Sequence, residues 1–319
     1  MGIKLSRQII DKVRRLAGEG YMAKEIADEM GFNKNKIDNM MARYHIPMFS
    51  PTAWAAYRID DSDLYEELKR DREREAVNKK YGNRTMNILV LNDLHFPFQS
   101  EKVIQAALAE KDIDVFVISE VLDFYGLSVF RKSRLISCVA ELVGGMELIK
   151  KLRKRANVVW FEANHERRLY KMLQDRLGDR PDLLELLFKD RKPIISEHFN
   201  KIGVDTVNSW WCRIGDVIFA HPDWFSNIDL RTVVNTQDYF LKEARELYAQ
   251  TEAIVNGHTH HQGFTVRYHQ ILMESGSGCE RMDYLKEGKK RLETTRGYII
   301  LRMEKGKINF NETKFRIFK

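Results

Sequence analysis

The sequence predicts an α/β domain built on parallel strands, preceded by a small all-α domain. From residue 86 onward, apolar runs of strand length alternate with longer segments of helical periodicity. This alternation is typical of parallel strands joined by crossover helices. Near the start of the chain, apolar residues recur only at helical spacing. We therefore place an all-α domain at 1–50, a charged linker at 51–84 and the α/β domain at 85–319.

The composition is that of an ordinary globular chain: 319 residues, of which 44% are hydrophobic and 31% charged. No apolar run is long enough to span a bilayer, so no membrane partner is expected. The start of the chain has no apolar core followed by a small-residue cleavage site, and no signal peptide is predicted. The three cysteines lie far apart in sequence, which argues against a disulfide framework and favours a reducing, cytoplasmic compartment. The net charge of +7 permits nucleic-acid binding without requiring it.

The first domain contains three short helical patterns, RQIIDKVRRLAGEG, MAKEIADEMG and NKNKIDNMMARY. The run KEIADEMGFNKNKIDNMMARYHI resembles the helix-turn-helix of DNA-binding proteins. The resemblance rests on Ala27 at the tight helix crossing, Gly31 in the turn and Ile37 at the next core position. Asn33 is the predicted N-cap of the third helix.

In a helix-turn-helix, the third helix enters the major groove of DNA. The resemblance therefore implies that polar side chains of this helix contact DNA: Lys34, Asn35, Lys36, Asn39 and Arg43. A small helical module for protein contacts or oligomerisation is the alternative interpretation. Because many helix-turn-helix proteins dimerise, a homo-oligomer is also left open.

The segment that follows is rich in charge. Two prolines, Pro47 and Pro51, interrupt regular structure. The run DSDLYEELKRDREREAVNKKYG then has few apolar positions and indicates an exposed helix or linker. The densest basic cluster, KKLRKR at 150–155, falls at the end of a predicted helix, where cations are favoured. Both a solvated helix face and a contact to a phosphate backbone fit it.

In the second domain, five apolar runs are predicted as strands: NILVLND (87–93), IDVFVISEVL (113–122), NVVWFEAN (157–164), GDVIFAHPD (215–223) and EAIVNGHTHH (252–261). Helical patterns fall between them, at 100–112, 134–155 and 238–250. Each helix can therefore act as a crossover between parallel strands. The tail alternates polar and apolar residues in GYIILRME and KINFNETKFRIF, which predicts antiparallel edge strands.

Each of the five strands ends in side chains that bind metals or transfer protons. These ends are Asp93-Leu94-His95, Glu120 with Asp123, Asn164-His165-Glu166, His221, and His258-Thr259-His260. In an α/β sheet the carboxyl ends of parallel strands meet at one rim, where ligands bind. Carboxylate, imidazole and amide oxygen are ligands of divalent first-row metals. The set is too large for one tetrahedral site, so a two-metal centre is predicted.

In chain order the five blocks are NDLH, SEVLD, ANHE, AHPD and GHTH, over residues 90–260. They resemble the calcineurin-like metallophosphoesterase superfamily, whose pattern is D-x-H, G-D-x-x-D, G-N-H-[DE], H and G-H-x-H. The resemblance implies a four-layer β-sandwich flanked by helices. It also implies two divalent ions, Mn²⁺ in the first place and Fe, Zn or Ni as alternatives. A hydroxide that bridges the two ions would attack phosphorus.

The resemblance also implies a role for each residue. The ligands of the first metal would be Asp93, His95 and His260. The ligands of the second metal would be Asn164, His221 and His258. Glu120 would supply the carboxylate that bridges both ions. His165 would act at the leaving-group oxygen, as general acid or by stabilising charge, and Asp123 would orient it.

Three of the strand-end residues also fit structural roles. His221 is followed by Pro222, unlike the common glycine-flanked form, and fits a satisfied core histidine. Asp123 fits a helix N-cap. Glu166 fits an acid in the first turn of the helix that follows.

The bridging position departs from the family pattern, because Ser119-Glu120 stands where Gly-Asp is usual. Glutamate has one more methylene than aspartate, so its carboxylate must fold back or the strand end must retreat. From the sequence alone, Glu120→Asp is expected to keep or improve metal binding and turnover.

Several features bear on the substrate. The residues after Asp123 are not the Arg-Gly of Ser/Thr phosphatases, which argues against that class. The run ANHERRL is similar to a group of phage and bacterial metallophosphoesterases, and the block layout is distantly similar to DNA repair nucleases. With the helix-turn-helix, these features favour a phosphodiesterase or nuclease that acts on DNA. The alternatives are a phosphatase of a protein or small molecule, and a DNA-binding protein with a weak or degenerate metal site.

Six aromatic residues lie near the strand ends and fit either base stacking or packing of the rim. They are Phe96, Phe98, Phe124, Tyr125, Trp224 and Phe225.

Overall fold

The computed structural model describes residues 7–18, 23–43, 67–128, 136–177, 195–280 and 294–319. Its contacts divide the chain into two compact units, Met1–Lys69 and Arg70–Lys319. Among the helices of these described ranges, none is long and apolar enough to cross a membrane.

The first unit contains three amphipathic helices: α1 (Arg7–Gly18), α2 (Ala23–Met30) and α3 (Lys34–Arg43). Their apolar faces share one small core, in which Ala27 and Ile37 are buried. Gly31, in the turn between α2 and α3, has a φ of +66°, a left-handed conformation that favours glycine. Asn33 caps α3, because its side-chain oxygen accepts a hydrogen bond from the backbone N–H of Lys36 at 2.8 Å.

The second unit contains eleven strands within the described residues. They are β1 (Met86–Asn92), β2 (Val115–Ser119), β3 (Asn157–Phe161), β4 (Asp205–Val207), β5 (Trp211–Ile214), β6 (Val217–Ala220), β7 (Ala253–Asn256), β8 (Gln262–Arg267), β9 (Gln270–Ser275), β10 (Arg296–Glu304) and β11 (Lys307–Phe318). A helix α4 at 67–81 precedes them. The other helices are α5 (Glu101–Ala109), α6 (Cys138–Arg153), α7 (Arg167–Leu177), α8 (Ile195–Asn200), α9 (Arg231–Glu243) and α10 (Arg245–Ala249).

The strands form two sheets. The first sheet has the order β11-β10-β1-β2-β3-β4, and the second has the order β5-β6-β7-β9-β8. Strands β1 to β4 are parallel, as are β6, β7 and β9, which confirms the predicted crossover pairing. Strands β10 and β11 are antiparallel as predicted, but only β11 is an edge, because β10 also pairs with β1.

The two sheets pack face to face. Val90 and Val117 of the first sheet share a core with Phe219 and Val255 of the second. On its outer face the first sheet packs against α5, α6 and α8, and the second packs against α9 and α10. The layers are therefore helix, sheet, sheet and helix, the four-layer arrangement that the resemblance implies.

Helix α4 belongs to this sandwich. Val77 and Tyr81 are buried in the core between the sheets. Arg74 is 6% exposed, donates to the Ser209 hydroxyl at 2.6 Å and lies over the Trp211 ring. The last part of the predicted linker is thus a packed helix. Its helical spacing of buried residues is hard to recognise in the sequence, because most of its residues are charged. Residues 44–66 lie outside the described residues, so the predicted domain boundaries stay a prediction.

Candidate metal centre

Five loops meet at one end of the sandwich, where β1, β2, β3, β6 and β7 end. The first three strands run parallel in one sheet and the last two run parallel in the other. Their carboxyl ends therefore reach the same edge from both sheets. The sequence predicts one shared rim, and the structure divides that rim between two sheets.

Four side chains form a first ligand group. Each of Asp93, His95, Glu120 and His260 is buried and offers one atom within 4.8 Å of the others. The Nε2 atom of His95 lies 3.0 Å from a carboxylate oxygen of Glu120 and 3.1 Å from the Nε2 atom of His260. His260 in turn lies 3.5 Å from Asp93. This geometry brings together the residues predicted for the first metal.

A second ligand group consists of Glu120, His221 and His258. The Nε2 atom of His221 lies 3.0 Å from Glu120 Oε2 and 3.1 Å from Asp93 Oδ1. Glu120 is therefore common to both groups, as expected of a bridging ligand.

Buried oxygen atoms without hydrogen-bond partners test whether metals fit here. Within the described ranges, Asn164 Oδ1 and Glu120 Oε1 are buried and make no hydrogen bond. Such atoms are costly unless a donor or a cation satisfies them. Both are hard oxygen donors, and Glu120 lies beside imidazole nitrogens of His95 and His221, a mixture that divalent first-row ions accept. The residues present therefore fit a pair of such ions.

The backbone of the centre is strained at five of the seven predicted ligands. Their φ angles lie between 47° and 81°, in the left-handed region that residues with side chains rarely adopt. They are Asp93, His95, Glu120, His258 and His260. Hydrogen bonds hold part of this backbone in place. The backbone N–H of His258 donates to both Asp93 carboxylate oxygens at 3.0 Å. Strain concentrated in this way is typical of functional sites.

Burial and neighbouring charges shift the pKa values of the ligands in opposite directions. Burial would lower the pKa of His221, but the charge of Glu120 and hydrogen bonds to Asp93 and Glu120 raise it to about 10. Burial raises the pKa of Asp93 to about 6, against the opposing effect of His221. Burial would also raise the pKa of Glu120, but the charges of His165, His95 and His221 hold it well below its usual range.

His165 and Asp123 lie beside the ligand groups and contact each other. The Nδ1 atom of His165 is 2.6 Å from Asp123 Oδ1, in keeping with the predicted orienting role of Asp123. Burial and the positive charges of His95 and Arg168 lower the pKa of His165 to about 4, against the opposing effect of Glu120. The pKa of Asp123 is held below its usual range, because its bonds to His165 and His95 outweigh burial.

Arg168 is a site residue that the sequence prediction missed. Its guanidinium donates to the Asp123 side chain at 2.9 Å and to the Asp123 carbonyl at 2.8 Å. Its Nη2 atom lies 2.6 Å from His165 Nε2. The run ANHERRL places an arginine three residues after the histidine, about one helical turn away, and this spacing was the available signal.

Glu166 has a different role from the helix-dipole acid considered above. It is 2% exposed and lies just before α7. Its carboxylate accepts hydrogen bonds from the backbone N–H groups of Val121 and Leu122, at 2.6 and 3.2 Å. Glu166 therefore holds the loop that follows Glu120.

Ser119, at the position where the resembled pattern has glycine, points its hydroxyl into a buried hydrogen-bond network. Its hydroxyl donates to Asn92 Oδ1 at 2.9 Å, and the Asn92 amide donates to Ser275 Oγ at 3.1 Å. Because Asn92 ends a strand of the first sheet and Ser275 ends a strand of the second, this buried network joins the two sheets beneath the site.

Of the six aromatic residues considered for the rim, Trp224 and Phe225 are exposed and Phe96 is half-buried. Phe98, Phe124 and Tyr125 are buried, so stacking on a substrate is excluded for them. Trp224 is 36% and Phe225 48% exposed. The Phe225 ring lies 5.9 Å from the His258 ring, and the two side chains line a recess beside the second ligand group.

The candidate DNA contacts lie on α3 of the first unit. Asn35 and Asn39 are exposed. Lys34 pairs with Asp38 at 2.8 Å, and the Lys36 ammonium lies 3.8 Å above the Phe32 ring. The side chain of Arg43 lies outside the described residues.

No protein-family model matches the chain, and no curated protein does. A solved archaeal phosphodiesterase aligns with a TM-score of 0.41 and 12% identity over 73% of this chain and 100% of its own. A metallophosphoesterase from Sphaerobacter thermophilus gives 0.38 and 13%, over 74% and 89%. Wild-type Vps29 from Entamoeba histolytica, complexed with Zn²⁺, gives 0.36 and 12%, over 73% and 98%. All three TM-scores lie below 0.5, so the function of the chain has to be inferred from its own residues.

Proposed function

We propose that the chain is a metal-dependent phosphoester hydrolase of the calcineurin-like metallophosphoesterase type, and that its substrate is DNA. The observation that carries the hydrolase proposal is the pair of buried ligand groups that share Glu120. Two ions held by one carboxylate are the arrangement that clamps a phosphate during in-line displacement.

The chain would hold the ions with seven side chains: Asp93, His95, Glu120, Asn164, His221, His258 and His260. When bound, the ions supply Lewis acidity and a hydroxide nucleophile at neutral pH. Burial of the ligands excludes water and strengthens electrostatic stabilisation of the transition state. His165 and Asp123 lie beside both groups and act on the side of the leaving oxygen.

Two features support DNA as the substrate. The small α1–α3 core leaves Asn35 and Asn39 exposed on the helix that would read the major groove. The exposed ring of Phe225 beside His258, and the exposed ring of Trp224 next to it in sequence, offer faces on which bases can stack. A DNA-binding unit on the same chain would raise the concentration of substrate at the centre.

The test is a panel of phosphoesters assayed with Mn²⁺. The substrates are bis-p-nitrophenyl phosphate, p-nitrophenyl phosphate, single- and double-stranded DNA, and RNA. We expect a preference for diesters and cleavage of DNA, both abolished in His260→Ala, which removes a ligand of the first group. Turnover of monoesters without cleavage of any DNA would favour the phosphatase alternative. Fewer than two ions per chain at saturating Mn²⁺ would favour the DNA-binding alternative with a degenerate site.

DNA binding is tested separately, on α3. Asn35→Ala and Asn39→Ala should each weaken specific binding by about 1–3 kcal/mol, the usual contribution of a base contact. Lys12→Ala is a control in the same unit, because Lys12 is a surface residue of α1 that pairs with Glu29. Equal DNA affinity in all three variants would show that α3 does not contact the bases.

A further inference from the structure

Three aromatic side chains, Trp210, Trp224 and Tyr239, pack together into an aromatic shelf at the surface of the second unit. The rings of Trp224 and Tyr239 are 36% and 37% exposed and lie 5.7 Å apart. Both rings contact the ring of Trp210, at 5.3 and 5.1 Å. Trp210 in turn stacks on the buried ring of Phe240 at 5.5 Å. The two exposed rings are therefore held in place by packing against further rings.

The loop after β6 connects this shelf to the candidate metal centre. Phe225 follows Trp224 directly, and its exposed ring lies 5.9 Å from the ring of His258. The loop is fixed to α9, because the backbone N–H of Ser226 donates to the Thr232 hydroxyl at 2.9 Å. Exposed rings thus lead from the second ligand group to the middle of α9.

The charges next to the shelf are compatible with a phosphate chain. The two acids that directly precede the exposed rings are paired, Asp223 with Arg167 and Asp238 with Arg267. Arg231, the first residue of α9, is exposed and makes no ion pair with any of the described residues. Its guanidinium is therefore available to the oxygens of a phosphate group.

Stacking on exposed rings selects bases that are not paired. Every nucleobase has a π-face, so aromatic side chains stack on bases of any sequence. In a duplex, each base is enclosed between its neighbours, and a side chain reaches it only after it has left the stack. A surface of preformed rings therefore favours a single strand over a duplex.

We propose that the aromatic shelf and Phe225 bind unpaired bases beside the scissile phosphate, with Arg231 on a neighbouring phosphate, so that the substrate of the centre is single-stranded DNA. This inference rests on the proposed function and specifies the form of DNA that is cleaved. Duplex DNA would bind through α3, which belongs to the other unit, by separate contacts.

The test measures binding to the full-length chain in EDTA, where no metal ion is present to cleave the DNA. The probes are fluorescein-labelled oligothymidylate and a labelled duplex of the same length. Trp224→Ala and Tyr239→Ala should each raise Kd for oligothymidylate about 5- to 100-fold, the effect of losing one stacked base. Kd for the duplex should stay unchanged. An equal loss on the duplex would overturn the preference for single strands.

Tryptophan fluorescence gives a second readout, because a base that stacks on an indole quenches its emission. Unlabelled oligothymidylate should quench the wild-type chain. Trp224→Phe keeps an aromatic ring, so it should retain most of the affinity and lose part of the quenching. Quenching equal to that of the wild type would overturn the contact at Trp224.

Tyr268→Ala is the matched control. Tyr268 is also an exposed tyrosine, but it follows β8, whereas Trp210 precedes β5 at the opposite edge of the same sheet. Its removal should leave the affinity for oligothymidylate unchanged. A loss equal to that of Tyr239→Ala would overturn the inference.

Arg231→Gln keeps the test decisive if the aromatic variants unfold, because it changes an exposed side chain. It should reduce the slope of log affinity against log salt by about 0.7 for oligothymidylate, the contribution of one phosphate contact to a single strand. An unchanged slope would overturn the inference.

The remaining outcomes separate the inference from the proposed function. Affinity for oligothymidylate that neither Trp224→Ala nor Tyr239→Ala reduces would overturn the inference and leave a protein surface as the occupant of the shelf. A wild-type chain that binds oligothymidylate through the shelf but cleaves no DNA with Mn²⁺ would support the binding site and refute the proposed function.

Discussion

Glu120 occupies the position at which the two ligand groups meet. One of its oxygens lies 3.0 Å from both His95 Nε2 and His221 Nε2. Strand β2 ends at Ser119, and the backbone of Glu120 turns into the left-handed region with a φ of 51°. The longer side chain is thus accommodated by the turn at the strand end, and the carboxylate reaches both groups.

This geometry revises the expectation for Glu120→Asp. Removal of one methylene would withdraw the carboxylate from both histidines by about 1 Å, a displacement that can reduce the rate roughly a hundredfold. We expect a lower affinity for the second Mn²⁺ ion and slower hydrolysis of bis-p-nitrophenyl phosphate. Isothermal titration and steady-state kinetics measure the two effects. An unchanged stoichiometry with an equal or faster rate would restore the expectation drawn from the sequence.

Single residues differ in how far the sequence predicts them. The strand-end blocks place Asp93 and His260 at the rim because a strand end fixes where its next side chains lie. Glu166 and Arg168 are harder to predict. Their partners are backbone groups of another loop and the carboxylate of Asp123, which approach only in the folded chain. The burial of Tyr125 likewise depends on packing that local sequence does not show.

At the scale of elements, Glu274 links strand β9 to the loop that carries His258 and His260. Its carboxylate accepts from the Thr259 hydroxyl at 2.9 Å, in the loop between β7 and β8. The backbone N–H groups of Val233 and Leu230, at the start of α9, oppose the rise in its pKa that burial causes. Glu274 is fully buried, and one of its oxygens has no hydrogen-bond partner. The loop that carries His258 and His260 is thus tied to strand β9 through one carboxyl group.

The stability of the chain should therefore depend on pH through Glu274. Burial raises its pKa from 4.5 to about 7. In this window the folded chain keeps a proton that the unfolded chain has lost, so folding stability falls as the pH rises from 4.5 to about 7. The slope is at most about 1.4 kcal/mol per pH unit. Urea unfolding at both ends of the window should show a weaker dependence in Glu274→Gln, and an unchanged dependence would contradict this assignment.

Elements were predicted best where a strand ends in a polar block. The five strands and their parallel pairing follow from such blocks and from the helices between them. The division of these strands between two sheets cannot be predicted in the same way. A strand–helix–strand segment has the same sequence pattern whether its two strands lie in one sheet or in two. Helix α9 begins at Arg231, seven residues before the helical pattern predicted at 238, and the helix breaks before α10 at Ala244. The role of α4 was missed because its apolar residues are few.

At the scale of the whole molecule, we expect two N-terminal truncations, one before and one after helix α4, to differ in stability. A chain that begins at residue 67 keeps α4 and the buried Val77 and Tyr81. It should hydrolyse small diesters at close to the full-length rate and lose DNA affinity. A chain that begins at residue 85 also loses the buried aromatic ring of Tyr81, a change that destabilises by about 3–5 kcal/mol or more. Thermal unfolding, diester turnover and DNA binding of both chains measure these effects. Similar stability in the two would show that α4 is dispensable.

At the scale of the whole molecule, the left-handed backbone of the candidate ligands lowers the free energy of unfolding while it positions the side chains of the centre. A side chain in that conformation costs roughly 1–2 kcal/mol per residue, a cost that glycine avoids. The five candidate ligands that adopt it therefore lower the stability of the folded chain.

His258, with a φ of 81°, allows a direct measurement of this opposition. His258→Gly and His258→Ala remove the same imidazole, but only glycine relieves the backbone. In EDTA, the glycine variant should be the more stable by on the order of 1 kcal/mol. Equal unfolding free energies would show that the turn is held without strain. The expected difference would identify the metal centre as a place where this fold gives up stability in order to function.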